Sequence, residues 1–149
     1  MGLTSYNGFT PAERNNTWII QQKLRDDGII FWTDKACEMC GQFGDAIMPH
    51  LENYDLPERF NPLCIECHMS LHGRFRSKGG WIDYLLKLRG GYKPNMWSDV
   101  STYFKSQENR DFFNKAKVDY QFELILEVWY ENLSLVDIDL KNTLFLNPK

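Results

Sequence analysis

The sequence lacks the features that mark several classes of protein. No apolar run approaches the roughly 20 residues that a bilayer-spanning helix needs, so we expect no membrane partner. The first 16 residues hold no basic stretch followed by an apolar one, and we therefore expect a cytoplasmic protein without a secretory signal. There is no internal repeat and no low-complexity segment. These absences leave a globular protein of ordinary composition.

Charge of one sign is not in strong excess either. The net charge is −3, which is not the balance of a protein that binds nucleic acid over its whole surface. Residues 73–93, however, contain six basic residues against one acidic residue, a net charge of +5. This strip predicts a phosphate-binding surface, and the alternative is an ordinary solvated helix face. The candidate nucleic-acid-binding residues are Arg74, Arg76, Lys78 and Arg89.

The length and the aromatic content fit one domain with a buried core. The chain has 149 residues, of which 43% are hydrophobic and 15% aromatic. We expect a single α+β domain over 1–149 that is mostly helical, with a helical C-terminal extension over 94–149. The apolar residues of 108–132 recur near a 3.6-residue period, which predicts a long helix. Its aromatic face is a candidate surface for a homodimer or a protein partner, and ordinary core packing is the alternative.

Local signals predict the elements in the first two thirds of the chain. Thr10, Pro11 and Glu13 have the spacing of a capping box with proline at the first helical position, which predicts a helix to about Asp27. Residues 46–51 favour a strand, and residues 53–62, with two prolines and three charges, favour a loop. A second helix should carry residues 67–72. Gly79-Gly80 should break the chain before a helix over 81–89.

Cysteine and histidine are scarce, and all of them lie in one window. The four cysteines and three histidines fall between Cys37 and His72, a window of 36 residues. Two Cys-x2-Cys pairs, Cys37/Cys40 and Cys64/Cys67, are separated by 23 residues. Paired thiols at this spacing in a reducing compartment are typical of a zinc site with four sulfur ligands and no open position. We therefore predict a structural zinc, and four buried free cysteines are the alternative.

The three histidines form a second candidate site. His68 and His72 are four residues apart on a predicted helix, so both rings lie on one face. His50 ends the preceding predicted strand, which would fold back on that helix. Three neutral imidazoles, or two and a carboxylate, leave open positions on a cation for water and a phosphate oxygen, which is the pattern of a catalytic site. The alternative is that His68 or His72 replaces a cysteine ligand or caps the helix, while His50 is merely buried.

The order of these residues resembles that of a known family. Cys-x2-Cys, a strand with histidine, a loop and Leu-Cys-x2-Cys-His-x3-His resemble the HNH endonucleases, the ββα-metal nucleases, in the form with an added four-cysteine zinc. The resemblance covers residues 35–75. The segment from His50 to Tyr54 and the flanks GRF and LRGGY also resemble small bacterial and phage proteins. The resemblance implies a central ββα-metal zinc module between an N-terminal helix and a helical C-terminal half, in a bacterial or phage-infected cell.

The resemblance also implies roles for the candidate ligands. The cysteines would hold the structural zinc, and His68 and His72 would bind a catalytic Mg²⁺, Mn²⁺ or second Zn²⁺. The strand departs from the family pattern, in which a doublet supplies one metal ligand and then the general base. If the doublet is Pro49-His50, the base survives and a ligand is lost. If it is His50-Leu51, which the spacing to the second cysteine pair favours, His50 is a ligand and leucine replaces the base.

A leucine cannot accept a proton, so the second alignment requires another route. Glu52 is the candidate replacement for the base, and loss of a general base typically lowers the rate by 10²–10⁴-fold. The candidate for the middle asparagine of the family pattern is Asn61, three positions before Cys64.

Three functions follow from these patterns. The first is a metal-dependent endonuclease acting on DNA phosphodiester bonds, with the basic strip holding the backbone. The second is a catalytically weak or inactive zinc scaffold of the same origin that binds nucleic acid or a protein partner. The third is a zinc-stabilised interaction domain without a nucleic-acid role. The imperfect doublet and the acidic balance of residues 94–149 favour the second, and the histidine pattern favours the first.

Overall fold

Helices surround a short β-ribbon in the part of the chain that the structure describes. The computed structural model describes residues 3, 5, 6, 8–44, 46–73 and 78–106. Within these ranges there are four helices and one two-stranded antiparallel sheet, which confirms the α+β class. The elements in chain order are α1 (Pro11–Asp26), β1 (Met48–His50), β2 (Asn61–Leu63), α2 (Ile65–Gly73), α3 (Lys78–Arg89) and α4 (Val100–Tyr103). The predicted helix over 108–132, the candidate dimer surface, Arg74 and Arg76 lie outside the described residues.

Helix α1 begins at the predicted capping box. The Thr10 hydroxyl accepts a hydrogen bond from the Glu13 amide at 3.2 Å, and the Glu13 carboxylate accepts one from the Thr10 amide at 2.9 Å. Because Pro11 has no amide hydrogen, this helix start leaves three amide donors open, and two of them are thereby satisfied. The fully buried side chains of α1 are polar: Thr17 donates to the Tyr54 carbonyl at 2.7 Å, and Gln21 to the Pro57 carbonyl at 2.9 Å. Helix α1 is therefore attached to the loop after β1 largely by hydrogen bonds.

The two strands of the β-ribbon differ from the prediction in opposite ways. Strand β1 is shorter than the predicted strand over 46–51, and β2 includes two residues that the sequence predicts to be in a loop. Strand β1 pairs with β2 so that His50 faces Asn61 and Pro49 faces Pro62. The expectation of a loop through residue 62 is therefore wrong at its last two positions. Proline has no amide hydrogen, so two prolines can face each other only at a non-hydrogen-bonded position of an antiparallel pair. The ribbon satisfies that condition, and Pro62 uses its carbonyl to accept from the Glu38 amide at 2.9 Å.

Helix α2 follows β2 after a single residue and packs against α3. Trp81 and Leu85 of α3 lie four residues apart on one helix face, and both are fully buried. The sequence predicts a break between helices at Gly79 and Gly80. This prediction is wrong, because both glycines lie in the first turn of α3. Each glycine costs a helix about 1 kcal/mol relative to alanine, and burial of one large apolar side chain contributes about 1.5–3 kcal/mol. Packing of α3 on α2 thus outweighs the local preference.

The apolar core is built around the first cysteine pair, the ribbon and the α2–α3 contact. Its fully buried members include Ile47 before β1, Leu63 on β2 and Leu71 on α2, together with all four cysteines. None of the helices in the described ranges is long and apolar enough to cross a bilayer. Strands β1 and β2 and helix α2 form a small ββα unit that carries the three histidines and the second cysteine pair, and the core packs the first cysteine pair against this unit.

Candidate metal centres

The four cysteines converge on one point. Their sulfur atoms all lie within 4.8 Å of one another, and all four residues are buried as free thiols. Tetrahedral zinc with Zn–S bonds of about 2.3 Å requires sulfur atoms about 3.8 Å apart. The Cys40 and Cys64 sulfur atoms are 3.8 Å apart. The cluster is therefore compatible with a zinc ion, as the paired spacing predicts, and this convergence speaks against four unrelated buried thiols.

Short local structures present the four thiols. Cys37 and Cys40 flank a tight turn, in which the Gly41 amide donates to the Cys37 carbonyl at 2.8 Å and the Cys40 amide points at the Cys37 sulfur at 3.5 Å. Gly41 has a φ of +77°, a conformation that favours glycine. Cys64 follows β2 directly and Cys67 lies in the first turn of α2. The short connection between β2 and α2 thus presents the second pair, and the Glu38 amide, which donates to the Pro62 carbonyl at 2.9 Å, attaches the turn of the first pair to β2.

The thiols perturb one another strongly when no cation lies between them. Hydrogen bonding from Cys37, and then from Cys64, lowers the pKa of the Cys40 thiol. Hydrogen bonding with Cys37, and then with Cys40, raises the pKa of the Cys67 thiol. The lowered pKa values thus belong to the first pair, Cys37 and Cys40, and the raised ones to the second pair, because a thiolate of the first pair accepts hydrogen bonds from the other thiols. A divalent cation removes this conflict, since it attracts all four thiolates at once.

Helix α3 and the segment that follows it contact this cluster. The Tyr84 hydroxyl lies 3.1 Å from the Cys67 sulfur, and burial, followed by the charge on that sulfur, raises the pKa of Tyr84. Lys93 donates to the Cys40 carbonyl at 3.1 Å. Glu66, between the second pair of cysteines, accepts from the hydroxyl of Tyr92 at 2.8 Å. Such outer contacts orient ligands and are part of a metal site, and sequence spacing gives no sign of them.

The three histidines form a separate cluster. One ring nitrogen from each of His50, His68 and His72 lies within 4.8 Å of the other two, and the ring centroids are 4.7–5.2 Å apart. The Nε2 atoms of His68 and His72 are 3.0 Å apart. His50 comes from the end of β1 and the other two from α2, so the fold of ribbon onto helix brings them together. Nitrogen ligands at this spacing are compatible with one shared cation.

The surroundings keep the His68 ring in the form that binds a cation. Burial, and then the neighbouring charges of His50 and Arg14, hold the pKa of His68 well below its usual range. A neutral imidazole carries the lone pair that a metal requires. The Nδ1 atom of His68 lies 3.5 Å from the Met48 sulfur, and its Nε2 atom points into the cluster. His68 is therefore neutral and oriented before any ligand arrives.

Glu52 acts on this cluster through His50. Its Oε1 atom lies 3.0 Å from His50 Nε2 and accepts a hydrogen bond from the Tyr6 hydroxyl at 2.8 Å. Within the described residues, the set of mutually adjacent ligand atoms contains the three histidines and no carboxylate. A carboxylate that accepts a hydrogen bond from one nitrogen of a histidine ring fixes the tautomer of that ring, so that the other nitrogen can bind the cation. Glu52 therefore has the geometry of a residue that positions His50, and Tyr6 is a contact that the sequence did not indicate.

The remaining predicted residues are placed differently. Leu51 points into the protein with 3% of its surface exposed. Asn61 faces His50 across the ribbon, and its side-chain amide donates to the Glu38 carboxylate at 2.6 Å. Arg89 is exposed in the last turn of α3, which begins at Lys78.

No protein-family model matches this chain, and neither a curated protein nor a solved structure matches it. The resemblance of residues 35–75 to HNH nucleases therefore rests on the order of the residues alone.

Proposed function

We propose that this chain is an HNH-like, metal-dependent endonuclease that hydrolyses DNA phosphodiester bonds. The observation that carries the proposal is the convergence of His50, His68 and His72 at the junction of ribbon and helix, apart from the cysteine cluster. One small unit thus has a four-sulfur set and a three-nitrogen set. Closed four-cysteine sites are structural, whereas three-ligand sites keep positions for water and substrate.

The two clusters would divide the work. Zinc in the cysteine cluster would hold the turn at residues 37–40 against α2 and thereby keep His68 and His72 at a fixed distance from His50. A divalent cation at the histidines would polarise the phosphoryl oxygen and stabilise developing negative charge, a contribution of several kcal/mol. The basic residues proposed to hold the DNA backbone are Arg74, Arg76, Lys78 and Arg89.

Among the described residues, the proposed site has no evident general base to remove a proton from the attacking water. Leu51 follows the histidine ligand, is buried and has no basic group. The Glu52 carboxylate, 1% exposed, is engaged by His50 and Tyr6. Neither side chain is placed to take a proton from water, and we expect slow cleavage at neutral pH. The same observation favours the second candidate, a catalytically weak or inactive zinc scaffold that binds nucleic acid or a protein partner.

Metal content and cleavage together test the proposal. Protein purified without added metal should hold one zinc per chain in the cysteine cluster and take up a second cation at the histidines. His68→Ala should abolish cleavage of plasmid DNA in Mg²⁺, Mn²⁺ or Zn²⁺ and remove the second cation, while the first zinc remains as an internal control. Leu51→His should raise the rate, because it places a base where the family has one.

The opposite result is equally clear. If no cation supports cleavage of plasmid, single-stranded or branched DNA, and Leu51→His restores nothing, the chain is not a nuclease. The scaffold function then replaces it, provided that the cysteine cluster still holds its zinc.

A further inference from the structure

We propose that Arg14, on α1 outside the ββα unit, binds the phosphate group of the ligand at the histidine site. The inference rests on the proposed function in one respect, because it requires a cation at the histidines. It adds a binding residue that lies 36 positions before the first histidine ligand and that no spacing pattern indicates.

The position of Arg14 is set by two tyrosines. Its Cζ atom lies 5.3 Å from the ring centroid of Tyr6 and 5.3 Å from that of Tyr54. Its Nε atom donates to the Tyr54 hydroxyl at 3.1 Å. The Tyr6 ring in turn lies 4.6 Å from the ring of His72. A guanidinium is thus fixed one aromatic ring away from the proposed cation, on a helix that two further hydrogen bonds attach to the same loop.

The buried charges of the site favour an anion as its ligand. The three imidazoles are neutral as ligands, Arg14 contributes one positive charge and a divalent cation would add two more. Glu52 is the only buried acidic side chain among the described residues, and it contributes at most one negative charge. The buried groups together with Arg14 would thus give the site a net positive charge, which is costly in a largely buried place. A phosphate oxyanion supplies the missing charge, and the guanidinium fork matches its oxygen atoms.

Arg25 provides a matched control on the same helix. Its Cζ atom lies 5.1 Å from the centroid of the Trp32 ring, so it also stacks on an aromatic side chain. The two arginines are 11 positions apart, about 16 Å along a helix with a rise of 1.5 Å per residue. Loss of charge or stacking at Arg25 should therefore leave the histidine site unaffected.

Binding of inorganic phosphate tests the proposal without reference to cleavage. The full chain is loaded with zinc in the cysteine cluster and Mn²⁺ at the histidines, and broadening of the phosphorus NMR line of inorganic phosphate is titrated. Arg14→Gln should weaken phosphate binding about tenfold or more, because a charge-assisted hydrogen bond is lost. Arg25→Gln should bind phosphate as the unaltered chain does.

The Mn²⁺ affinity separates anion binding from a merely structural role. If Arg14 serves the anion, Arg14→Gln should bind Mn²⁺ as tightly as the unaltered chain or more tightly, since a repelling charge is gone. If Arg14 only supports the fold, Mn²⁺ and phosphate affinity should fall together, and that result overturns the proposal. Arg14→Lys keeps the positive charge but lacks the guanidinium group that binds two phosphate oxygen atoms at once, so it should give an intermediate phosphate affinity.

The remaining outcomes distinguish this inference from the proposed function. If phosphate binding depends on Arg14 but the chain cleaves no DNA, the anion-binding role of Arg14 is supported and the proposed nuclease function is refuted. If the chain cleaves DNA but Arg14→Gln leaves the phosphate affinity unchanged, the anion-binding role is refuted and the nuclease function stands. A chain that binds Mn²⁺ at the histidines but no phosphate also overturns the proposal.

Discussion

Replacement of Glu52 by glutamine separates two roles that this carboxylate can have at the histidine site. The structure places Glu52 Oε1 3.0 Å from His50 Nε2 and 2.8 Å from the Tyr6 hydroxyl. Loss of an outer hydrogen bond to a metal ligand typically lowers metal affinity 10–100-fold. Glutamine keeps the size and one acceptor oxygen, so we expect about a tenfold rise in the dissociation constant of the cation. At saturating cation the cleavage rate should return close to that of the unaltered chain.

A general base would behave differently. If Glu52 took the proton from water, Glu52→Gln would lower the rate by 10²–10⁴-fold at every cation concentration. The assay is therefore the DNA cleavage rate over a range of cation concentrations, together with cation affinity measured by competition with a chelator. Glu58→Gln is the control, because Glu58 is exposed in the same loop.

Two results would refute the positioning role. One is a rate loss that persists at saturating cation while the cation affinity is unchanged, which would make Glu52 the base. The other is no effect on either quantity, which would show that the contact with His50 has no consequence. Tyr6→Phe should shift the cation affinity in the same direction as Glu52→Gln but less, because it leaves the carboxylate in place.

Two further predictions concern the zinc and the core. Cys40→Ser should lower the zinc content by one per chain and unfold residues 35–75, because the metal contributes folding free energy directly; a fully folded variant by circular dichroism, without zinc, would contradict this. Trp81→Ala should lower the free energy of unfolding in urea by about 3–5 kcal/mol, because Trp81 is 0% exposed. Leu86→Ala on the same helix, at 49% exposure, is its control and should change that free energy by less than about 0.5 kcal/mol.

The sequence alone predicted those features that depend on a few neighbouring residues. The capping box at Thr10 and Glu13 is a contact over three residues, and the structure contains it. The two Cys-x2-Cys turns set the distance within each pair, and the four-residue spacing of His68 and His72 puts both on one helix face. Backbone geometry over a single turn is enough to decide each of these, so spacing carries the information.

Only the tertiary structure decided which distant residues share a site. The Tyr6 hydroxyl reaches Glu52 across 46 positions, and Arg14 reaches Tyr54 across 40. Pro62 can lie in a strand because it faces Pro49 at a position that requires no amide hydrogen, and Gly79 lies in a helix because α3 buries its apolar face on α2. At Gly79 this long-range contact outweighs a local preference of about 1 kcal/mol. No pattern of neighbouring residues records any of these contacts. The candidate ligands could therefore be predicted from the sequence. The side chains that contact and orient those ligands depend on how the chain folds, and only the tertiary structure identifies them.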